Sequence, residues 1–122
     1  MPKSLKDRPF NSNTMTNASF FGMIRSALRR LYMIQWKAKG ATLRQARRVS
    51  KLRDARIKWE YNCAICDNWY TLKEVQVDHI EPCGTLRSFD ALAGFCKRLF
   101  VETHGLRVLC VACHNKVTHD KA

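Results

Sequence analysis

The sequence predicts an α+β fold, with basic helices in the first half and short strands with metal-binding residues in the second. Apolar residues recur every three or four positions across residues 20–36, which is typical of an amphipathic helix. Apolar and polar residues alternate across residues 75–80, as in a half-buried strand. Two Cys-x-x-Cys pairs lie in the same half. A chain of 122 residues can form one domain of this kind but not two large ones.

The first predicted element is a helix of about five turns, which Thr16 or Asn17 can cap. Residues 1–15, with two prolines and a polar run, are expected to be extended or mobile. The apolar face of the helix is predicted to contain Phe20, Ile24, Leu28 and Leu31, with Phe21, Tyr32 and Trp36 beside them. The opposite face carries the cationic residues Arg25, Arg29 and Arg30.

A second basic helix is predicted after Gly40, which interrupts the first pattern. Thr42 can cap this helix. The residues expected to face inward are Leu43, Ala46, Val49 and Leu52. Those expected to face solvent are Arg44, Arg47, Arg48, Lys51 and Arg53.

The second half of the chain alternates short strands and helices. A strand is predicted over residues 75–80, ended by Pro82 and Gly84. Ser88 can cap a short helix whose apolar face comprises Phe89, Leu92, Phe95 and Leu99. A second strand is predicted over residues 106–109, and a last helix from about Val111. Trp59 and Tyr61 are expected to be core residues, so no clear linker separates the halves.

The net charge indicates a polyanionic partner. The chain has 22 Lys+Arg against 10 Asp+Glu, a formal charge of +12, and the whole excess lies in residues 1–60. A run of charge is often only a solvated surface, and an anionic membrane surface is a lesser alternative. Nucleic acid is favoured because almost no acidic residues stand between the cations to form the helical pairs of an ordinary surface.

The cysteines indicate a structural zinc ion in a reducing compartment, expected to be the cytoplasm. The N-terminus has no apolar signal core, and no run approaches the roughly 18 apolar residues of a membrane span. Two residues between thiols allow both sulfurs to reach one ion, and four such sulfurs form a tetrahedral zinc site. The predicted ligands are Cys63, Cys66, Cys110 and Cys113. Redox-active or buried thiol pairs are the alternative, and Cys83 and Cys96 are expected to be core residues.

A second group of residues suits metal-assisted hydrolysis of phosphodiesters. Asp78 and His79 are neighbours on the predicted strand and therefore point to opposite sides. His114 directly follows Cys113, so the zinc site would hold it in place. One of these residues can bind a metal that neutralises phosphate charge, while a neutral imidazole takes a proton from water. Each residue alone is more often an ordinary surface or core residue, and only their combination indicates this chemistry.

These segments together resemble the zinc-knuckle branch of the HNH endonuclease family, especially small proteins encoded by bacteriophages. The resemblance covers roughly residues 58–120 and includes Val77-Asp78-His79-Ile80 and the Cys-His step at residues 113–114. It implies a ββα-metal finger over residues 58–122, preceded by a basic DNA-binding extension over residues 1–57. It also implies that Asp78 and His114 hold a catalytic Mg²⁺, Mn²⁺ or other divalent ion, that His79 is the general base, and that the cysteines are structural.

The expected partner is double-stranded DNA in the cytoplasm, that of a bacterial host if a phage encodes the chain. The residues predicted to contact it are Arg25, Arg29, Arg30, Arg44, Arg47, Arg48, Lys51, Arg53 and Lys116. One departure stands out, since Gly105 occupies the position of the family's middle asparagine. His104 or a backbone group is a possible substitute, and His119 is a weaker candidate. The alternative function is a non-catalytic, zinc-dependent nucleic-acid-binding module.

Overall fold

The structure, a computed structural model, describes residues 7–121, with only the backbone for residues 119–121. It contains two compact units, which are described separately. Within the described residues, unit 1 comprises residues 7–36 and 83–100, and unit 2 comprises residues 37–82 and 101–121. Each unit takes residues from both predicted ranges, 1–57 and 58–122. The predicted division also assigns a DNA-binding role to residues 1–57 and a nuclease role to residues 58–122. This assignment of functions stays a prediction.

The described residues form small antiparallel sheets and four α-helices, so the predicted α+β class is confirmed. The helices are α1 (Asn17–Gln35), α2 (Ala38–Ala46), α3 (Leu92–Leu99) and α4 (Val111–Lys121). The strands are β1 (Arg47–Val49), β2 (Trp59–Asn62), β3 (Trp69–Tyr70), β4 (Val75–His79) and β5 (Leu106–Cys110). None of the helices within residues 7–121 has both the length and the apolarity that crossing a membrane requires.

Unit 1 has α1 and α3 as its helices, and the predicted start of α1 is confirmed. The hydroxyl of Thr16 accepts a hydrogen bond from the backbone N–H of Ser19, at 3.1 Å, and thereby caps α1. Ahead of the cap, residues 10–15 form a closed turn in place of the expected extended segment. Of that predicted segment, residues 1–6 lie outside the described residues.

The apolar core of unit 1 differs in part from the predicted faces. Phe21 and Tyr32 of α1 are buried, whereas Leu31 is half exposed, because the buried face is turned slightly around the helix. The helix α3 begins at Leu92, later than expected. The hydroxyl of Ser88 caps only the preceding turn, by accepting from the N–H of Ala91. The core residues of this unit are Phe21, Tyr32, Leu86, Phe95 and Leu99.

Unit 2 begins with α2, so the predicted second helix is present, but it ends at Ala46 and does not extend over residues 47–53. The helix starts at Ala38, so Thr42 lies within it, and the buried Thr42 hydroxyl donates to the carbonyl of Ala38 at 2.9 Å. The helix ends at Ala46, although the helical spacing of apolar residues in the sequence continues to Leu52. The next three residues form β1, which pairs antiparallel with β2. The backbone pairing with β2 therefore overrides the helical pattern of the sequence.

The strands β4 and β5 and the helix α4 form the part of unit 2 that carries the predicted metal ligands. The two strands pair antiparallel from Val75 opposite Cys110 to His79 opposite Leu106. The helix α4 follows β5 without a connecting loop. The strands predicted over 75–80 and 106–109 and the last helix are thus confirmed. Val75, Val108 and Leu109 are buried in the core of this unit.

Candidate metal centre

The four cysteines predicted to bind zinc form one cluster. Cys63 and Cys66 lie in the turn between β2 and β3, Cys110 ends β5, and Cys113 lies in the first turn of α4. Their sulfurs all lie within 4.8 Å of one another, and those of Cys66 and Cys110 are 4.0 Å apart. Cys63 and Cys110 are buried, whereas the other two are half-buried. The cluster is therefore partly shielded from solvent.

Backbone hydrogen bonds fix the turn that carries the first cysteine pair. The N–H of Asp67 donates to the carbonyl of Cys63, and the N–H of Cys63 donates to that of Asn68, both at 3.0 Å. Asp67 adopts a positive φ of 60°, which tightens the chain after the second thiol. The N–H of Ala64 donates to the carbonyl of Val108 at 2.8 Å, which ties the turn to β5.

The geometry of the cluster fits one tetrahedral metal ion. Zinc–thiolate bonds of about 2.3 Å in a tetrahedron place the sulfurs about 3.8 Å apart. The observed spacing is only slightly wider, so small side-chain adjustments would bring all four sulfurs to one ion. Four protein ligands leave no coordination position for water or substrate. The cluster can thus hold a metal with a structural role, and it cannot supply an activated water.

Hydrogen bonding favours the thiolate form at three of the four cysteines. The hydroxyl of Tyr70 lies 3.2 Å from Sγ of Cys66 and is the main cause of the lowered pKa of that thiol. Burial acts to raise the pKa of Cys63 and of Cys110, but hydrogen bonds, chiefly from backbone N–H groups, outweigh it and lower both values. The hydrogen bond to Cys110 raises the pKa of Cys113 to about 12. The close spacing of the four sulfurs therefore disfavours ionisation of all of them at once. A bound cation would neutralise the negative charge of the thiolates.

A second cluster joins Asp78, Arg107 and His114. The buried carboxylate of Asp78 accepts a hydrogen bond at Oδ2 from Nε of Arg107, its partner across β4 and β5, at 3.3 Å. The other oxygen, Oδ1, lies 4.0 Å from Nε2 of His114. This separation is too long for a hydrogen bond. The Nδ1 atom of His114 is buried and has no hydrogen-bond partner.

His79, the predicted base, is the last residue of β4 and is half-buried. The next residue, Ile80, donates its N–H to the carbonyl of Gly105 at 2.9 Å. A backbone group at position 105 therefore holds the chain directly after His79. A Cβ atom there would lie 2.3 Å from Cγ2 of Val101, so no larger residue fits without displacing its neighbours. His104 is exposed, and the side chain of His119 lies outside the described residues.

The nine residues predicted to contact DNA fall into two groups. Three are half-buried, and each has its guanidinium over an aromatic ring. The distance to the ring centroid is 5.9 Å for Arg25 on Phe95, and 3.9 Å both for Arg47 on Trp59 and for Arg48 on Trp69. Arg48 also pairs with the buried carboxylate of Glu60 at 3.4 Å. The exposed residues are Arg29, Arg30, Arg44, Lys51, Arg53 and Lys116. The exposed group is available to a polyanion, and the half-buried group also has a packing role.

Two residues of these clusters are absent from the sequence-based prediction. Arg107 contacts Asp78 only through the register of β4 and β5, and a sequence without its strand pairing does not reveal that register. Tyr70 lies four residues after Cys66, and this spacing was a detectable signal, since a hydroxyl close to a thiolate is a common outer partner of a metal site.

Compared with known proteins, the chain has no significant match to a family model, a curated protein or a solved structure.

Proposed function

We propose that this protein is a metal-dependent endonuclease of the HNH type that hydrolyses phosphodiester bonds of double-stranded DNA. The observation that carries the proposal is the 4.0 Å separation of Asp78 Oδ1 and His114 Nε2, beside His79 on the same strand. The proposal includes a structural Zn²⁺ held by the four cysteines and a second divalent ion, Mg²⁺ or Mn²⁺, held by Asp78 and His114.

The pairing of Asp78 with His114 suits a cation because a carboxylate oxygen and an imidazole nitrogen lie 4.0 Å apart with no hydrogen bond between them. Adjacent ligands of an octahedral Mg²⁺, each about 2.1 Å from the ion, stand about 3 Å apart. A closure of about 1 Å would therefore bring both atoms to one ion.

The bound divalent ion would neutralise the phosphate and stabilise the departing oxygen. The protein's own residues would supply the other parts of the reaction. His79, in its neutral form, would take a proton from the attacking water. The hydrogen bond between Ile80 and Gly105 would hold the backbone behind this imidazole. Arg107 would orient the carboxylate of Asp78, and the cysteine cluster would fix the start of α4 and with it His114.

The positive charge supports a DNA substrate. The excess of 12 positive charges includes exposed cations on α1, on α2 and in the segment after β1. Cations of this kind contact phosphates regardless of base sequence. If six phosphates are contacted, the logarithm of affinity is expected to fall with the logarithm of salt concentration with a slope of about −5.

The test is cleavage of supercoiled plasmid by zinc-loaded protein in a series of Mg²⁺ and Mn²⁺ concentrations. We expect nicked or linear product from the unmodified chain and at least 100-fold slower cleavage by His79→Ala, since a general base contributes about 10²–10⁴-fold. His104→Ala, at an exposed histidine, is the matched control and should retain cleavage. Equal cleavage by His79→Ala, or no cleavage with any divalent ion, would contradict the proposal.

A second candidate function is a non-catalytic, zinc-dependent nucleic-acid-binding module. Two observations favour it: Arg107 already partly neutralises Asp78, and Gly105 provides no side chain beside the proposed base. This function predicts DNA binding that needs no Mg²⁺ or Mn²⁺ and does not change in Asp78→Asn. Binding of this kind, together with uncut plasmid, would identify the module rather than the nuclease.

A further inference from the structure

Unit 2 contains a cavity of about 550 Å³ that is separate from both metal-ligand clusters. Its lining residues all lie between positions 54 and 73. Its volume falls within the range of small-molecule sites, about 300–1,000 Å³. None of the four cysteines, and neither Asp78 nor His114, is among the lining residues. The cavity therefore has no part in the proposed hydrolysis.

The walls of the cavity suit a flat aromatic ligand. Four apolar or aromatic side chains line it: Ile57, Trp59, Tyr61 and Leu72. Trp59 is half-buried and also carries the guanidinium of Arg47, 3.9 Å from its ring centroid. This contact limits the movement of the indole ring. An aromatic ring held in place at a cavity wall is a surface on which a nucleobase can stack, and stacking of this kind tolerates any base.

The rim of the cavity is cationic. Arg56, Lys58 and Lys73 line it and are exposed. The one acidic residue of the lining, Asp54, already accepts hydrogen bonds from the Arg56 side chain at 3.0 and 3.1 Å. Lys73 presents an exposed ammonium group beside the apolar walls, and Nζ of Lys58 lies 5.8 Å from the ring centroid of Trp59. A ligand with an aromatic part and an adjacent anion would match both features.

We propose that this cavity binds one unpaired nucleotide, with the base against Trp59 and Leu72 and the phosphate at Lys58 and Lys73. A duplex keeps its bases stacked in pairs, so the bound nucleotide would come from single-stranded or locally opened DNA. A free nucleotide has the same chemistry, and the experiment distinguishes the two sources. The site needs neither the divalent ion nor His79, so it can be correct even if the proposed cleavage is not.

The test compares two substitutions of equal charge change. Leu72→Glu places a carboxylate in the cavity wall at a residue that is 55% exposed, and Ile65→Glu does the same outside the cavity at a residue that is 49% exposed. Both variants are first checked for unchanged zinc content and circular dichroism. Binding to fluorescein-labelled dT8 and to a 12-base-pair duplex is measured by anisotropy, without added Mg²⁺ or Mn²⁺.

We expect Leu72→Glu to weaken binding of dT8 at least tenfold, the effect of losing one stacked base. Ile65→Glu should weaken it less than twofold, and both variants should bind the duplex alike. Lys73→Ala should reduce the salt dependence for dT8 by about 0.7, the contribution of one phosphate contact on a single strand, whereas Lys97→Ala should not.

Competition with free dTMP identifies the source of the nucleotide. Displacement of dT8 by millimolar dTMP would show that a mononucleotide is sufficient, and absence of displacement would show that the strand is required. Equal loss of dT8 binding in Leu72→Glu and Ile65→Glu would overturn the proposal. A loss of duplex binding in Leu72→Glu as large as its loss of dT8 binding would also overturn it.

Discussion

Arg107 donates a hydrogen bond from Nε to Oδ2 of Asp78 across the ladder of β4 and β5, at 3.3 Å. This contact is made to one carboxylate oxygen, and the other, Oδ1, lies 4.0 Å from Nε2 of His114. Arg107 therefore helps to orient the carboxylate of Asp78. Hydrogen bonds of this kind from outside the ligand set commonly position metal-binding carboxylates.

The pairing of Asp78 with His114 predicts one divalent-ion site beyond the cysteine cluster. Zinc-loaded protein should bind one equivalent of Mn²⁺, because Oδ1 of Asp78 and Nε2 of His114 lie close enough to bind one ion after a small adjustment. Asp78→Asn and His114→Ala should each weaken Mn²⁺ binding at least tenfold. The measurement is the electron paramagnetic resonance signal of free Mn²⁺ during titration. His104→Ala serves as the control, and unchanged Mn²⁺ binding in Asp78→Asn would refute the site.

Removal of the metal from the cysteine cluster is expected to destabilise unit 2. The thiols of Cys63 and Cys110 are buried, so without a cation the core contains closely spaced polar sulfurs. Cys63→Ser should lose the zinc and about 4 kcal/mol or more of unfolding free energy. Cys96→Ser, outside the cluster, should keep one zinc per chain and lose about 1 kcal/mol. Metal analysis and thermal unfolding provide the readout. Full zinc content in Cys63→Ser would count against the cluster.

The sequence predicts the elements that carry a local signal, but it does not predict those that depend on pairing between strands. The alternation in residues 75–80 and the cap at Thr16 are local features, and both predictions are confirmed. The segment Arg47–Val49 carries no such signal. Its helical spacing continues that of α2, but β2 supplies a strand partner for it. The contact of Asp78 with Arg107 depends on the same kind of pairing, so the sequence could identify Asp78 but not its partner.

Arg48 lies in the strand β1 rather than on the solvent face of the predicted helix. We therefore expect replacement of Arg48 to affect mainly the stability of the protein. Its guanidinium stacks on Trp69 and pairs with the buried Glu60. Arg48→Ala should therefore cost about 1–2 kcal/mol, or several degrees in the unfolding temperature. Arg44→Ala, at an exposed residue of α2, should leave the unfolding temperature unchanged and weaken duplex binding at low salt. Equal unfolding temperatures for the two variants would contradict this separation of roles.

The hydroxyl of Tyr70 is expected to strengthen metal binding through Cys66. It lies 3.2 Å from Sγ and favours the thiolate form. Removing such an outer partner typically lowers metal affinity about 10–100-fold. Tyr70→Phe should therefore release zinc to a competing chelator at a correspondingly lower chelator concentration. Tyr61→Phe, on the neighbouring strand, is the matched control. The same chelator midpoint for both variants would show that the hydroxyl does not affect the metal.

Gly105 is expected to be required for space rather than for backbone conformation. A Cβ atom there would lie 2.3 Å from Cγ2 of Val101 and 3.0 Å from Cγ1. Gly105→Ala should therefore destabilise the protein by about 1–3 kcal/mol, the usual cost of overpacking. In contrast, Gly22→Ala in α1, where nothing lies within 4 Å of the added atom, should stabilise it by about 0.5–1 kcal/mol.

The double variant Gly105→Ala, Val101→Ala isolates the clash, because it removes the two methyl groups that the new Cβ would meet. It should be more stable than the sum of the single changes predicts, by about 1 kcal/mol or more. Chemical denaturation of the four chains measures this coupling. Strict additivity would show that Val101 is not the obstacle. The same clash predicts that Gly105→Asn lowers stability and does not increase cleavage of plasmid, because the backbone carbonyl at this position already binds Ile80.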